Sequence, residues 1–235
     1  MKRFAQSVPF VALLVAIVVA PFGLSACSGK SGAGVPDGGA PGADAGSLPA
    51  AAYPAGPYGA GKGKVIENAT FYGYANVSAA RTLKTISLGD YFNPDGTKVT
   101  DTGAPLTALL VAVGAVWCGP CVLEAGSLPA VATKFMPAGV QIVQDLFEGA
   151  DSTTGAAATQ TELDAWITSH ALPFPVFIDP AKKLAPYFDV GSLPFLMLID
   201  TKTMTNVAEE TGFGGQDMLE AFLCSNAPQK PSVCP

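Results

Sequence analysis

Two cysteines stand two residues apart in Trp117-Cys118-Gly119-Pro120-Cys121. A thiolate attacks one sulfur of a disulfide, and a second thiol held nearby can attack the resulting mixed disulfide and release the product as thiol. Such a pair is redox-active where it opens a helix, because free backbone N–H groups and the helix dipole stabilise a thiolate there. Cys118 is the expected nucleophile and Cys121 the expected resolving thiol. Pro120 suits a helix start, where its missing N–H costs least. Gly119 permits a tight turn near an incoming substrate, and Trp117 is expected to pack beside the site. The same spacing also serves zinc, but a zinc site needs four ligands. The chain offers one histidine, His170, and three further cysteines at 27, 224 and 234. No metal is expected, and no cofactor beyond the Cys118–Cys121 pair itself.

The elements around the pair follow from hydrophobic patterning. Leu106 to Val113 is an apolar run too short for a helix and reads as a strand buried on both faces. Val122 to Phe135 reads as a helix with Val122, Leu123, Leu128, Val131, Ala132 and Phe135 as its apolar face. Upstream, Val65 to Tyr74 and Leu83 to Leu88 read as strands, with Asn93-Pro94-Asp95-Gly96 as a turn. Downstream come a strand over Val140 to Phe147, a helix over Thr159 to His170, a strand over Val176 to Ile178 and a short helix over Ala181 to Phe188. Strands at Phe195 to Asp200 and Asn206 to Thr211 form a hairpin, and a helix over Gly215 to Cys224 follows. Strands alternating with helices predict an α/β layer structure with a mixed sheet.

At these residues the chain resembles the thioredoxin superfamily. Cys118-Gly119-Pro120-Cys121 is identical to the thioredoxin active-site motif, and Trp117 to Glu124 is similar to the Trp-Cys-x-Pro-Cys-x-x-Glu pattern of membrane-tethered TlpA/ResA-like oxidoreductases. The likeness runs roughly from Val65 to Leu223, with Leu172 to Asp179 and the helix before it resembling an insertion of that branch. It implies a thioredoxin-like fold, a mixed central sheet flanked by helices, with extra N-terminal strands and a helical insertion. It implies that Pro194 is a cis-proline facing the pair, with the backbone at Leu193 free to bind an extended substrate. It also implies a carboxylate at Glu124 that manages protons during exchange, against the plainer reading of a solvated glutamate near a helix N-terminus. Three departures stand out. Ala112 occupies the place of thioredoxin's buried aspartate, for which Asp145 on the next strand is the candidate substitute. Val113 and Gly114 replace the usual aromatic pair, and Phe195 follows the proline.

Several features point to export. Lys2 and Arg3 precede an uncharged apolar run of 11 residues, Phe10 to Ala20, which reads as a signal peptide. Such a run spans about 16 Å as a helix against a hydrocarbon core of about 30 Å, too little for a membrane span. Leu24-Ser25-Ala26-Cys27 resembles the bacterial lipobox, which implies lipidation of Cys27. The expected organisation is a signal peptide over 1–26, a lipid-anchored Gly/Ala/Pro-rich linker over 27–61, a thioredoxin-like domain over 62–225 and a tail over 226–235. The linker holds 10 Gly, 9 Ala and 5 Pro between Ser28 and Gly61 and no apolar periodicity. Cys224 and Cys234, in an exported chain, are expected to form a structural disulfide that pins this tail.

Net charge −6 and pI near 4.7 exclude a nucleic-acid binder that works by neutralising phosphates. His170, at a helix end, is explained by the dipole. A peroxidase would want an arginine near its cysteine, and Arg81, the one arginine past the signal segment, lies far away in sequence. A copper chaperone would need a histidine joining the two thiolates. The expectation is an oxidoreductase of the cell envelope that exchanges disulfides with exported proteins. The motif's Gly-Pro dipeptide resembles that of reducing thioredoxins and implies a reductase fed by a membrane electron donor. The alternative is a non-catalytic module that binds an exported partner in the same groove.

Overall fold

The computed structural model describes residues 52–77, 80–226 and 232–234. The expected signal segment, Cys27 and the expected linker up to residue 51 lie outside the described residues. Among the described residues, seven strands form one mixed sheet in the order β2-β1-β5-β4-β3-β6-β7: β1 (Thr70–Tyr74), β2 (Lys84–Ser87), β3 (Ala108–Ala115), β4 (Val140–Glu148), β5 (Val176–Ile178), β6 (Phe195–Asp200) and β7 (Thr205–Thr211). The central pairs β3·β4 and β4·β5 are parallel, while β6 and β7 continue the sheet antiparallel on one side and β1 and β2 on the other. The helices are α1 (Gly119–Phe135), α2 (Gln160–His170) and α3 (Gln216–Asn226). This is the thioredoxin-like architecture that the resemblance implies, with β1, β2 and the α2–β5 insertion added.

Every residue of β3 is buried, so the strand carries one apolar set on each face. Leu110 and Ala112 join the cluster under the helices, with Leu128 and Phe135 of α1, Leu163 and Trp166 of α2 and Leu219 and Leu223 of α3. Leu109, Val111 and Val113 join a second cluster with Phe71, Phe147, Phe177, Leu184 and Tyr187. All three helices thus contribute to one face of the sheet, and turns and N-terminal residues pack on the other.

Four local expectations are corrected. Val122 and Leu123 are not on the apolar face of α1; they are 39% and 71% exposed. The helix starts at Gly119, and its buried stripe runs at helical spacing through Cys121, Glu124, Ala125, Leu128, Val131, Ala132 and Phe135. Ala181 to Phe188 is not a helix but a turn with a 3-10 segment at Ala185–Tyr187. There Lys182 takes φ +53 and the Leu184 N–H is claimed by Asp179 Oδ2 at 2.8 Å. Val65 to Tyr74 is a strand only from Thr70, because Ala69 N–H turns back onto Glu67 O at 2.8 Å. Residues expected to end the linker already meet the domain: Tyr53 donates to Ile66 O at 2.7 Å and packs edge-on against Phe92.

Candidate active site

The C-terminal end of β3 delivers the chain to Val116 and Trp117, and α1 begins two residues later. Cys118 is the N-cap of α1, in extended conformation, and its Sγ accepts from Cys121 N–H at 3.2 Å. The sequence folds this way because Pro120 has no N–H to leave unpaired in the first turn and Cys118 Sγ accepts from one of the N–H groups that remain. Cys118 and Cys121 are joined in a disulfide, and the two residues are 3% and 0% exposed. Cys118 therefore keeps only a small exposed fraction, while Cys121 lies fully inside the helix-side core.

Strand register places the remaining groups. Val113 pairs with Phe195, so Pro194, one residue upstream on β6, comes level with Gly114. The Leu193–Pro194 bond is cis, and Leu193 packs against the cluster that holds both cysteines. Pro194 O accepts from Gly212 N–H at 2.8 Å, which ties the β7–α3 loop to the same edge. A Cβ added at Gly114 would lie 3.2 Å from Cys121 Cβ, tighter than ordinary contact. Glycine at this position makes room for the disulfide.

Glu124 lies one turn past Cys121, and only 1% of it is exposed. Neither carboxylate oxygen has a hydrogen-bond partner. Burial, with Glu210 of β7 adding repulsion, raises its pKa from 4.5 to about 8. It is thus not the solvated glutamate of the plainer reading but a buried carboxyl that carries its proton at neutral pH. Asp145 does not substitute for the aspartate missing at Ala112. In register it faces Val113 and Phe177, both in the cluster on the far side of the sheet from α1. There, fully buried beside Asp179, it is driven well above the ordinary carboxylate range by burial and then by that neighbour, with Lys182 opposing.

Trp117 is 38% exposed, and its Nε1–H donates to Glu148 Oε2 at 2.9 Å. Glu148 also accepts from Lys182 Nζ at 3.1 Å, and its backbone carbonyl accepts from Val116 N–H at 3.0 Å. Glu148 therefore holds the segment leading into the pair, a role that no sequence motif marks. Around the site Leu123, Val190 and Phe213 stand 71%, 46% and 58% exposed. Away from it, Cys224 and Cys234 are joined, and Val233 packs against the helix-side core. Arg81 is held by α2, through Asp164 O at 3.4 Å and Thr168 Oγ1 at 3.1 Å. His170 stacks edge-on against Trp166 at 4.5 Å, and burial lowers its pKa. Among the described residues no three His, Cys, Asp or Glu side chains are grouped to hold a metal. No helix among them is long and apolar enough to cross a membrane.

Residues 84–207 match the AhpC/TSA family. Over 112 residues the chain is 29% identical to proteins named thiol-disulfide oxidoreductase ResA in Bacillus thuringiensis (strain Al Hakam) and Bacillus anthracis. The aligned stretch covers 48% of this chain and 59% of each relative, so the chain spans less than two thirds of their length. Among solved structures, the reduced 2-Cys peroxiredoxin of Plasmodium vivax superposes with a TM-score of 0.50 at 14% identity. That match covers 68% of this chain and 79% of the other, and at such identity it speaks for the fold alone.

Proposed function

Because the chain belongs to the AhpC/TSA family, we propose that it is an extracytoplasmic thiol-disulfide oxidoreductase that reduces disulfides of exported proteins through Cys118 and Cys121. The observation that carries this reading is the Cys118–Cys121 disulfide at the N-terminus of α1, beside the cis Leu193–Pro194 bond. The resemblance to proteins named thiol-disulfide oxidoreductase supports it.

In the reduced protein, Cys118 is the N-cap, where the first free N–H groups of α1 favour its thiolate. The thiolate attacks one sulfur of the partner's disulfide; a Cys118–partner bond forms and the partner's other sulfur leaves as thiolate. Cys121 then gives up its proton and attacks Cys118 Sγ. The Cys118–Cys121 bond forms, the second partner sulfur leaves, and two electrons and two protons have passed to the partner. Glu124, which holds its proton at neutral pH, is the group near the pair that can give that proton to the departing thiolate and then take the proton of Cys121. The main chain at Leu193 receives the partner's backbone, while Trp117, Gly119, Pro120 and Pro194 shape the groove. The exposed side chains of Leu123, Val190 and Phe213 give it an apolar rim.

A lipid on Cys27 and the linker would keep the domain at a membrane of the cell envelope, where a membrane electron donor restores the dithiol. The test is a pair of variants of the full chain. Cys118→Ser abolishes turnover of a protein disulfide such as that of insulin, and Cys121→Ser accumulates mixed disulfides on Cys118. Unchanged turnover in Cys118→Ser would overturn the reading. Unchanged partner binding without any turnover in the native chain would favour the binding module.

A further inference from the structure

Gln144 of β4 is completely buried, and its Nε2 has no hydrogen-bond partner. An orphaned buried N–H carries a desolvation penalty that nothing offsets, so its retention calls for a reason. Its orientation is fixed chemically. Trp166 Nε1–H can only donate, and it lies 3.0 Å from the amide oxygen of Gln144, so Nε2 must occupy the opposite corner of the amide. That corner lies on the side of Gly114, next to Cys121. In register Gln144 stands opposite Ala112 and Val176, on the helix-side face that holds Cys121. A Cβ built on Gly114 would lie 3.7 Å from Cys121 Sγ and 3.8 Å from Gln144 Nε2. Cys121 Sγ and Gln144 Nε2 therefore both border the space beside Gly114 that a Cβ would occupy.

We propose that Gln144 is the hydrogen-bond donor that Cys121 acquires when the disulfide is reduced, and that Trp166 is the positioning residue that aims it. In the disulfide, Cys121 Sγ is turned toward Cys118 and the N–H is left unused. In the mixed disulfide, Cys121 is free, and the donor stabilises its thiolate in a site where burial otherwise disfavours charge. Gln144 keeps its own proton throughout. The proton leaving Cys121 passes elsewhere, and the electron pair of its thiolate makes the bond to Cys118 Sγ as the partner sulfur departs. The ionisable groups facing Cys121 are Cys118 and Glu124 on its own helix, with Glu210 of β7 beyond Glu124. β3 sends it none; β4 carries Glu148 at the edge of the pair, where it is bound to Trp117 Nε1–H and Lys182 Nζ, and α2 offers His170 beside Trp166. An uncharged donor thus serves at a site where the strand before the motif carries Ala112 and no buried acid.

The inference rests on the exchange mechanism proposed above, and its test separates the two. The full chain, with Cys27, Cys224 and Cys234 replaced by Ser and its folding checked by melting, is reduced and mixed with Ellman's disulfide. The first thionitrobenzoate released reports attack by Cys118; the second reports attack by Cys121 on the Cys118 adduct. Both are followed from about pH 5 to about pH 9, the range in which perturbed thiols titrate. A hydrogen bond to a charged group is worth about 1.5–3 kcal/mol, so Gln144→Leu lowers the thiolate fraction at neutral pH about tenfold or more. The more basic thiolate is also the better nucleophile, so the second release slows about three- to tenfold. Its pH profile moves upward by about one unit or more, while the first release is unchanged. Gln144→Met keeps the side-chain volume and carries the same prediction if the Leu variant does not fold. Trp166→Phe, which leaves the amide but not its orientation, gives an intermediate slowing. A second release as fast as in the parent, with the same pH profile, in either folded Gln144 variant overturns the proposal. Absence of the first release in the parent overturns the exchange mechanism instead.

Discussion

Replacing Glu124 by Gln should abolish a specific part of the protein's pH-dependent stability. In the folded chain this carboxyl titrates at about 8, because it is buried without a partner and faces Glu210, whereas in the unfolded chain it returns to 4.5. Below pH 4.5 both states hold the proton and the group contributes no difference. Above it the unfolded chain releases the proton and the folded chain does not, so stability falls as pH rises and stops falling above about pH 8. At 1.36 kcal/mol per pH unit the loss is about 3 kcal/mol at pH 7 and about 5 kcal/mol in full, a ceiling that local relaxation would lower. For a domain of this size, about 3 kcal/mol corresponds to roughly 6–12 °C in melting temperature. The assay is urea unfolding of the oxidised full-length protein at a series of pH values, native against Glu124→Gln. Asp145 is also raised and slopes both curves in the same direction, so the quantity to read is their difference. The introduced amide adds a pH-independent offset for a buried polar group; it cannot add slope. A difference that grows from pH 5 to pH 8 in favour of the variant is expected. Parallel curves would refute the claim that this carboxyl is held protonated by the fold.

Three further outcomes follow from the structure. Breaking the tail staple with Cys224→Ser and Cys234→Ser should lower stability by about 2–3 kcal/mol in the chain-entropy account, measured by chemical denaturation without reductant. Leu123→Asp or Phe213→Ser should reduce kcat/KM for a protein disulfide about tenfold while leaving a small aromatic disulfide unaffected, since only a large partner reaches the apolar rim. In a Trp166→Phe background, Glu148→Leu should shift the emission of Trp117, now the only indole, because its N–H loses the carboxylate at 2.9 Å. An emission spectrum identical to that of the parent would show that Glu148 does not hold the indole in solution.

The parts of the site that were legible in the sequence are those set by neighbours along the chain. An apolar run ending in Trp117-Cys118-Gly119-Pro120-Cys121 specifies a buried strand, a sharp turn and a helix, and β3 and α1 occupy those places. What was not legible depends on contacts between distant segments. Strand parity separates Gln144 from Asp145: one step of register sends the amide to the cysteines and the carboxylate to the opposite face. Composition favours the aspartate as the functional residue, and only pairing with Ala112 and Val113 shows otherwise. The state of Glu124 was not legible because it depends on the packing of α1 against the sheet and on the charge of Glu210, some 86 residues later. Val122 and Leu123 are apolar and so read as inward, but they fall off the i, i+3, i+4, i+7 stripe that Cys121, Ala125, Leu128, Ala132 and Phe135 trace. Ala181 to Phe188 has helical composition, yet Lys182 is drawn onto Glu148 and Phe147 O, and Pro186 lacks an N–H.

The most direct test of the central claim is the midpoint potential of the Cys118–Cys121 pair in the full chain, titrated in thiol-disulfide buffers and read by alkylation of Cys118. The account predicts a value near the reducing end of the superfamily, about −270 mV. A value near about −120 mV would make the pair an oxidant and contradict the direction of electron flow, and a pair that does not titrate would contradict exchange altogether.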